Sequence, residues 1–150
     1  MMGYVKDLRN LVGNRPLIVV GASVIVLNQD KQLLLHLRKD NQCWGLPGGS
    51  MELGESLEEV ATREMIEETG LTPKKLKLLD IFSGEEQYYK LPHGDELYNV
   101  TANYICTEYT GELKIDDNES EGLQFFDINE LPDRLNPPDI PVIHQFLTLN

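Results

Sequence analysis

The chain has 150 residues, with 25 Asp+Glu against 13 Lys+Arg, a formal net charge of −12 and 41% hydrophobic residues. That is the size and apolar content of one globular domain able to bury a core without disulfides, so disorder and fibrous repeats are excluded. The charge excludes tight, sequence-independent nucleic-acid binding, because no basic stripe is present to replace phosphate counterions.

In chain order, residues 4–12 place Tyr4, Leu8, Leu11 and Val12 at helical spacing, and Gly13 followed by Pro16 closes that helix. Residues 1–7 lack the basic-then-apolar order of a signal peptide. Residues 17–27 are apolar and β-branched, hence a buried strand, and span about half of the roughly 20 residues a membrane helix needs. A turn at 28–31 leads to a second strand over 32–38, and a loop then carries Trp44 into Leu46-Pro47-Gly48-Gly49. Ser56 with Glu59 three residues on reads as a capping box for a helix over 57–69, which Gly70 ends. Strands follow at 75–82, 87–90, 96–109 and 123–126, with 91–95 as a hairpin tip. Residues 128–131 form a short helical turn and 140–149 a closing helix. Strands interleaved with few helices predict an α/β fold with a mixed β-sheet between helices. Cys43 and Cys106, with no C-x-x-C pair, fit reduced thiols in a cytoplasmic protein.

The helix over 57–69 carries a contradiction. Leu57, Val60, Ala61 and Met65 mark its core-facing stripe, yet Glu64 and Glu68 fall within about 20° of Leu57 on a helical wheel, and Glu67 about 80° away. Glu58, Glu59, Thr62 and Thr69 take the outer face, and Ile66, opposite the stripe, is expected to pack under a neighbouring element. Three ionised carboxylates on a buried stripe repel one another and lose hydration at a cost of several kcal/mol each. Something positive must sit among them. Hard oxygen ligands at i, i+3 and i+4 suit Mg²⁺, with Mn²⁺ as a substitute, leaving positions for water and substrate phosphate. Seven acids lie between Glu52 and Glu68, opposed there only by Arg63. The negative charge is therefore concentrated where a metal-bridged phosphate substrate would bind.

The run Gly49-x5-Glu55-x7-Arg63-Glu64-Met65-Ile66-Glu67-Glu68-Thr69-Gly70-Leu71 resembles the Nudix hydrolase box, G-x5-E-x7-R-E-U-x-E-E-x-G-U with U aliphatic. Every fixed position is filled, and Met65 in a U position is a volume-conserving swap. Leu46-Pro47-Gly48-Gly49 and Asn129-Glu130-Leu131-Pro132 also resemble the family, which extends the likeness over most of 17–132. It implies one Nudix domain over 1–150, an α/β/α sandwich with the box at 49–71 and an added helix at 4–12. It implies divalent-metal-dependent hydrolysis of a nucleoside diphosphate linked to X, with water attacking phosphorus. By the same resemblance Glu64, Glu67 and Glu68 hold the metal, the Gly48 carbonyl is a further ligand, and Arg63 orients the carboxylates. Glu55 ties the loop to the helix. Family members keep the general base either at the position of Glu64 or on a later acidic loop, where Glu119 fits first and Glu121 second.

Outside the box, Arg38 at a strand end is the candidate phosphate contact, and Tyr88 the candidate for stacking on adenine, as in dinucleoside polyphosphate hydrolases. Gln87 stands where ADP-ribose hydrolases of the family carry proline, so ADP-ribose or another ADP-sugar, dinucleoside polyphosphates and (d)NTPs all stay open as X compounds. The expected partner is a small-molecule nucleotide, with no membrane. The helix at 4–12 serves either a homodimer interface or the cover of a sheet edge. The competing reading is a non-catalytic nucleotide-sensing module, which predicts erosion of Arg63, Glu64, Glu67 or Glu68; all four are present.

Overall fold

A computed structural model describes residues 3–149. Helix α1 (Tyr4–Val12) is followed by β1 (Leu17–Val26), β2 (Leu33–Arg38), β3 (Trp44–Gly45) and β4 (Gly48–Ser50). Then come α2 (Leu57–Thr69), β5 (Leu71–Pro73), β6 (Lys77–Phe82), β7 (Tyr88–Lys90) and β8 (Glu96–Cys106). The chain ends with β9 (Tyr109–Gly111), β10 (Ser120–Phe126) and α3 (Ile140–Thr148). The main sheet has the order β4-β1-β8-β6, with β7 also on β8; β1 and β8 run parallel and the other pairs antiparallel. A second sheet orders β10-β2-β3, and β5 pairs with β9.

Side chains alternate across β1, and each face meets a helix. Val24 and Val26 pack with Val60, Ala61 and Met65 of α2, while Ile25 joins Leu33, Leu35 and the α3 residues Val142, Ile143 and Phe146. This is the expected α/β sandwich with a mixed sheet.

The departures from expectation have local causes. The first half of β1 is buried on one face only, since Val19 is 7% exposed while its neighbour Ile18 is 75% exposed. The strand expected at 96–109 breaks after Cys106, because Tyr109–Gly111 leaves the main sheet to pair with Leu71–Pro73. Residues 85–87 form a 3₁₀ turn before β7, and 128–131 make a single hydrogen-bonded turn rather than a helix. In α1 the inward face is Val5, Leu8, Arg9 and Val12, while Leu11 is 84% exposed. Arg9 displaces Leu11 there because its guanidinium satisfies backbone carbonyls. Thr69, assigned to the outer face, is fully buried: its hydroxyl donates to the Met65 carbonyl at 2.6 Å and accepts from Leu71 N–H at 3.0 Å. Ile66 stays exposed at the cleft rim, with no element packed over it.

Helix α2 is framed as its sequence demands. Glu59 N–H donates to Ser56 Oγ at 3.2 Å, Ser56 N–H donates to Glu59 Oε1 at 2.9 Å, and Gly70 ends the helix at φ 79°. Ser56→Ala is expected to lower stability by about 1 kcal/mol in urea titration. Gly70→Ala is expected to cost more, because its Cβ would fall 2.4 Å from the Glu112 carbonyl oxygen on top of the left-handed φ.

Candidate active site

The site forms where the second half of α2 crosses β4. Strand β4 is held by β1 through the pairs Gly21↔Ser50, Ala22↔Gly49 and Ser23↔Gly48. A Cβ on Gly49 would lie 2.5 Å from the Glu64 carboxyl carbon. Only glycine lets the strand approach the carboxylate this closely. Next to it, Gly48 N–H donates to Glu68 Oε1 at 2.7 Å.

Glu68 is 6% exposed, as the wheel predicted, and Glu64 is largely covered. Glu67 departs from the prediction: its side chain is 43% exposed, at the edge of the stripe rather than under the sheet. Burial pushes the Glu64 carboxyl up to about 7; Arg63 opposes the shift, and the charges of Glu67 and Glu119 add to it. Burial likewise raises the Glu68 carboxyl, with Glu64 and Glu119 contributing, while the Gly48 hydrogen bond and Arg38 pull the other way.

Arg63 gathers the box. Its Nε and one terminal nitrogen grip Glu55 at 2.6 and 2.8 Å, and the latter nitrogen also donates to the Ser50 carbonyl at 3.1 Å. The other terminal nitrogen donates to Glu64 Oε1 at 2.5 Å and lies 3.7 Å from Glu67 Oε2. Glu55 in turn accepts from Glu52 N–H at 2.9 Å. One guanidinium thus joins the loop, the strand and the helix.

His36, buried on β2, places Nε2 3.7 Å from Glu68 Oε2 and Nδ1 2.7 Å from Ser120 Oγ. Burial, assisted by Arg38, lowers its pKa to about 4, so it stands neutral beside Glu68 and supplies no compensating charge.

The cleft above these groups encloses about 1510 Å³. Glu119 lines it from the 116–119 loop, and its charge is felt at both Glu64 and Glu68. Glu121, the second choice on that loop, is outside it, because β10 already begins at Ser120. Arg38 does line the cleft but is gripped by Asp40 at 2.9 and 2.6 Å. Tyr88, the expected stacking residue, lies outside the cleft, its ring tilted on Tyr98 and its hydroxyl donating to Glu96 Oε1. Strand alternation turns its neighbour Tyr89 into the cleft instead, where the hydroxyl accepts from Asn41 Nδ2 at 3.0 Å. Trp44 packs edge-on against Phe126 at 4.9 Å.

Sequence reasoning missed the far end of the cleft. Asn41 Nδ2 donates to Asn136 Oδ1 at 2.8 Å, and Asn136 Nδ2 donates to Asp139 Oδ2 at 3.0 Å. Asp139 also accepts from Leu46 N–H at 3.0 Å, and burial raises its pKa. The polar residues are scattered along the chain, and the only local signal was Pro137-Pro138-Asp139 ahead of an apolar helix.

The chain matches the NUDIX domain family model over residues 17–146. It is 39% identical over 110 residues to an ADP-ribose pyrophosphatase of Methanocaldococcus jannaschii, a match covering 71% of this chain and 61% of that protein. It is 37% identical over 112 residues to a provisionally named 8-oxo-dGTP diphosphatase of Bacillus subtilis, covering 75% of this chain and 68% of that one. Among solved structures, a MutT NUDIX hydrolase from Burkholderia pseudomallei superposes with a TM-score of 0.74 at 26% identity, over 86% of this chain and 98% of that one. The NUDIX domain of Shewanella oneidensis NrtR, solved with ADP ribose, shares the fold with a TM-score of 0.71 at 20% identity, over 99% of both chains. With the box filled at every fixed position, and its glycine, arginine and glutamates meeting at one cleft, the chain belongs to the Nudix family.

Proposed function

We propose that the chain is a divalent-metal-dependent pyrophosphohydrolase acting on a nucleoside diphosphate linked to X. The carrying observation is the convergence of Glu64, Glu67, Glu68 and Glu119 on one cleft with Arg63 as the cation holding the box together.

The donor set fits a hard divalent cation. All the side-chain donors are carboxylate oxygens, the two most buried are raised by burial and by neighbouring carboxylate charge, and the nearby imidazole is neutral. Among the described residues, no three His, Cys, Asp or Glu side chains are already drawn together as a ligand cluster. Glu64, Glu67, Glu68, Glu119 and the Gly48 carbonyl would hold Mg²⁺, with Mn²⁺ as a substitute. When bound, the metal supplies charge neutralisation for the diphosphate and a more acidic water.

The chain's own groups then have defined tasks. Glu64 or Glu119 accepts the proton of the attacking water as its oxygen bonds to phosphorus, and the bridging P–O bond breaks toward the leaving phosphate. Arg63 keeps Glu64 aimed at the cleft and stabilises its ionised form. Arg38, where Asp40 holds it, faces the phosphates, and Tyr89 replaces Tyr88 as the aromatic group beside the substrate. Relatives named for ADP-ribose and for 8-oxo-dGTP keep both an ADP-sugar and a (d)NTP as substrates.

A screen of ADP-ribose, other ADP-sugars, dinucleoside polyphosphates and (d)NTPs with Mg²⁺ is expected to give cleavage of at least one class. Glu68→Gln should lower its kcat/KM by at least about a hundredfold, since a buried ligand charge is lost. Binding without cleavage would instead establish a nucleotide-sensing module.

The metal-free protein should also lose stability as pH rises. The Glu64 carboxyl is raised from 4.5 to about 7, so the stability it allows is complete below about pH 4.5 and is lost as pH rises through about 7. That shift corresponds to roughly 3 kcal/mol. Glu68 acts in the same direction. Scanning calorimetry should show Mg²⁺ raising Tm more at pH 8 than at pH 5.5, because binding needs the ionised carboxylates; an equal rise at both would contradict the ligand assignment.

A further inference from the structure

Helix α1 lies before the residues that match the family model, yet it is built into the wall of the cleft. At its first turn Tyr4 N–H donates to Glu52 Oε1 at 2.9 Å, a carboxylate placed at the positive end of the helix. Glu52 N–H in turn donates to Glu55, which Arg63 grips, so α1 is coupled to the box loop. At its other end Arg9 donates to the carbonyls of Gly13, Arg15 and Glu96 at 3.1, 2.6 and 2.5 Å and lies 3.6 Å from Asp95 Oδ2. Held at both ends, α1 presents Val5 and Lys6 to the cleft beside Leu97, Asn99 and Thr101 of β8.

The charges in the cleft single out Lys6. Its lining carries three positively charged side chains, Lys6, Arg38 and Lys114. Arg38 is already paired with Asp40, whereas among the described residues Lys6 and Lys114 form no ion pair. Lys114 sits against the end of α2, where its backbone N–H donates to the Thr69 carbonyl. Among the described residues both ammoniums in the cleft are thus without an ion pair, and Lys6 is the one on the wall that lies before the matched domain. An ammonium facing a cleft lined by carboxylates gains most from a ligand that brings phosphate oxygens to it.

We propose that Lys6 is a substrate-binding residue whose ammonium contacts a phosphate oxygen of the nucleotide, with α1 locked to the box loop to hold it there. The inference rests on the cleft being the nucleotide site. Calorimetric titration with Mg²⁺ and methylene-bridged analogues of ADP-ribose and of GTP tests it without turnover. Lys6→Ala is expected to raise Kd about tenfold for at least one analogue with the ligand-free Tm unchanged. Lys6→Arg should stay within about threefold of the parent, and Lys77→Ala, on exposed β6, should match it. Parent-like binding by Lys6→Ala, equal weakening in Lys6→Arg, or equal weakening in Lys77→Ala would each overturn the contact while leaving the proposed function intact. If the parent binds neither analogue, the Lys6 contact is overturned, and the proposed function falls with it only if no compound of the screen is cleaved.

Discussion

Glu64 and Glu68 stand on the side of α2 that faces the sheet, and the cost of covering like charges there governs what surrounds them. The first half of the helix spends that side on Val60 and Ala61 and packs conventionally against β1 and β8. One turn later the same side carries acids, and the neighbouring strand answers with backbone rather than side chains. Gly48 donates a hydrogen bond to Glu68, and Gly49 leaves the space that the Glu64 carboxylate occupies. The core and the site are thus two halves of one helix face.

Arg63 makes this arrangement tolerable. A guanidinium can fork onto Glu55 while reaching Glu64 and the Ser50 carbonyl, which an ammonium could not do with fixed geometry. It offsets only part of the negative charge, because Glu67 is 3.7 Å away, Glu68 is beyond its hydrogen bonds, and His36 is neutral. The surplus is what a divalent cation, as proposed above, would offset in a protein with a net charge of −12.

The site was legible because its signal is local. Glu55, Arg63, Glu64 and Glu68 lie within one loop and one helix, where spacing of 3 to 4 residues places side chains on a common face. The capping box and Gly70 were readable for the same reason. The errors arose where contacts between distant segments decide. Tyr88 and Tyr89 are adjacent on a strand, and only the pairing of β7 with β8 determines which of them faces the cleft. Asn41, Asn136 and Asp139 meet although 95 positions separate the first two. Leu11 lost its place in α1 to Arg9 because the carbonyls Arg9 satisfies belong partly to β8.

From the sequence alone the chain's α/β class, the bounds of α2, its buried carboxylates and its family resemblance follow, since each depends on periodicity and spacing within about 25 residues. Tertiary structure alone decided that Glu67 is exposed at the edge of the stripe, that Tyr89 rather than Tyr88 lines the cleft, and that α1 closes one wall of it. Those outcomes depend on how strands register and where loops land. A pattern in one segment specifies which face of an element is apolar, but not which distant segment comes to lie on it.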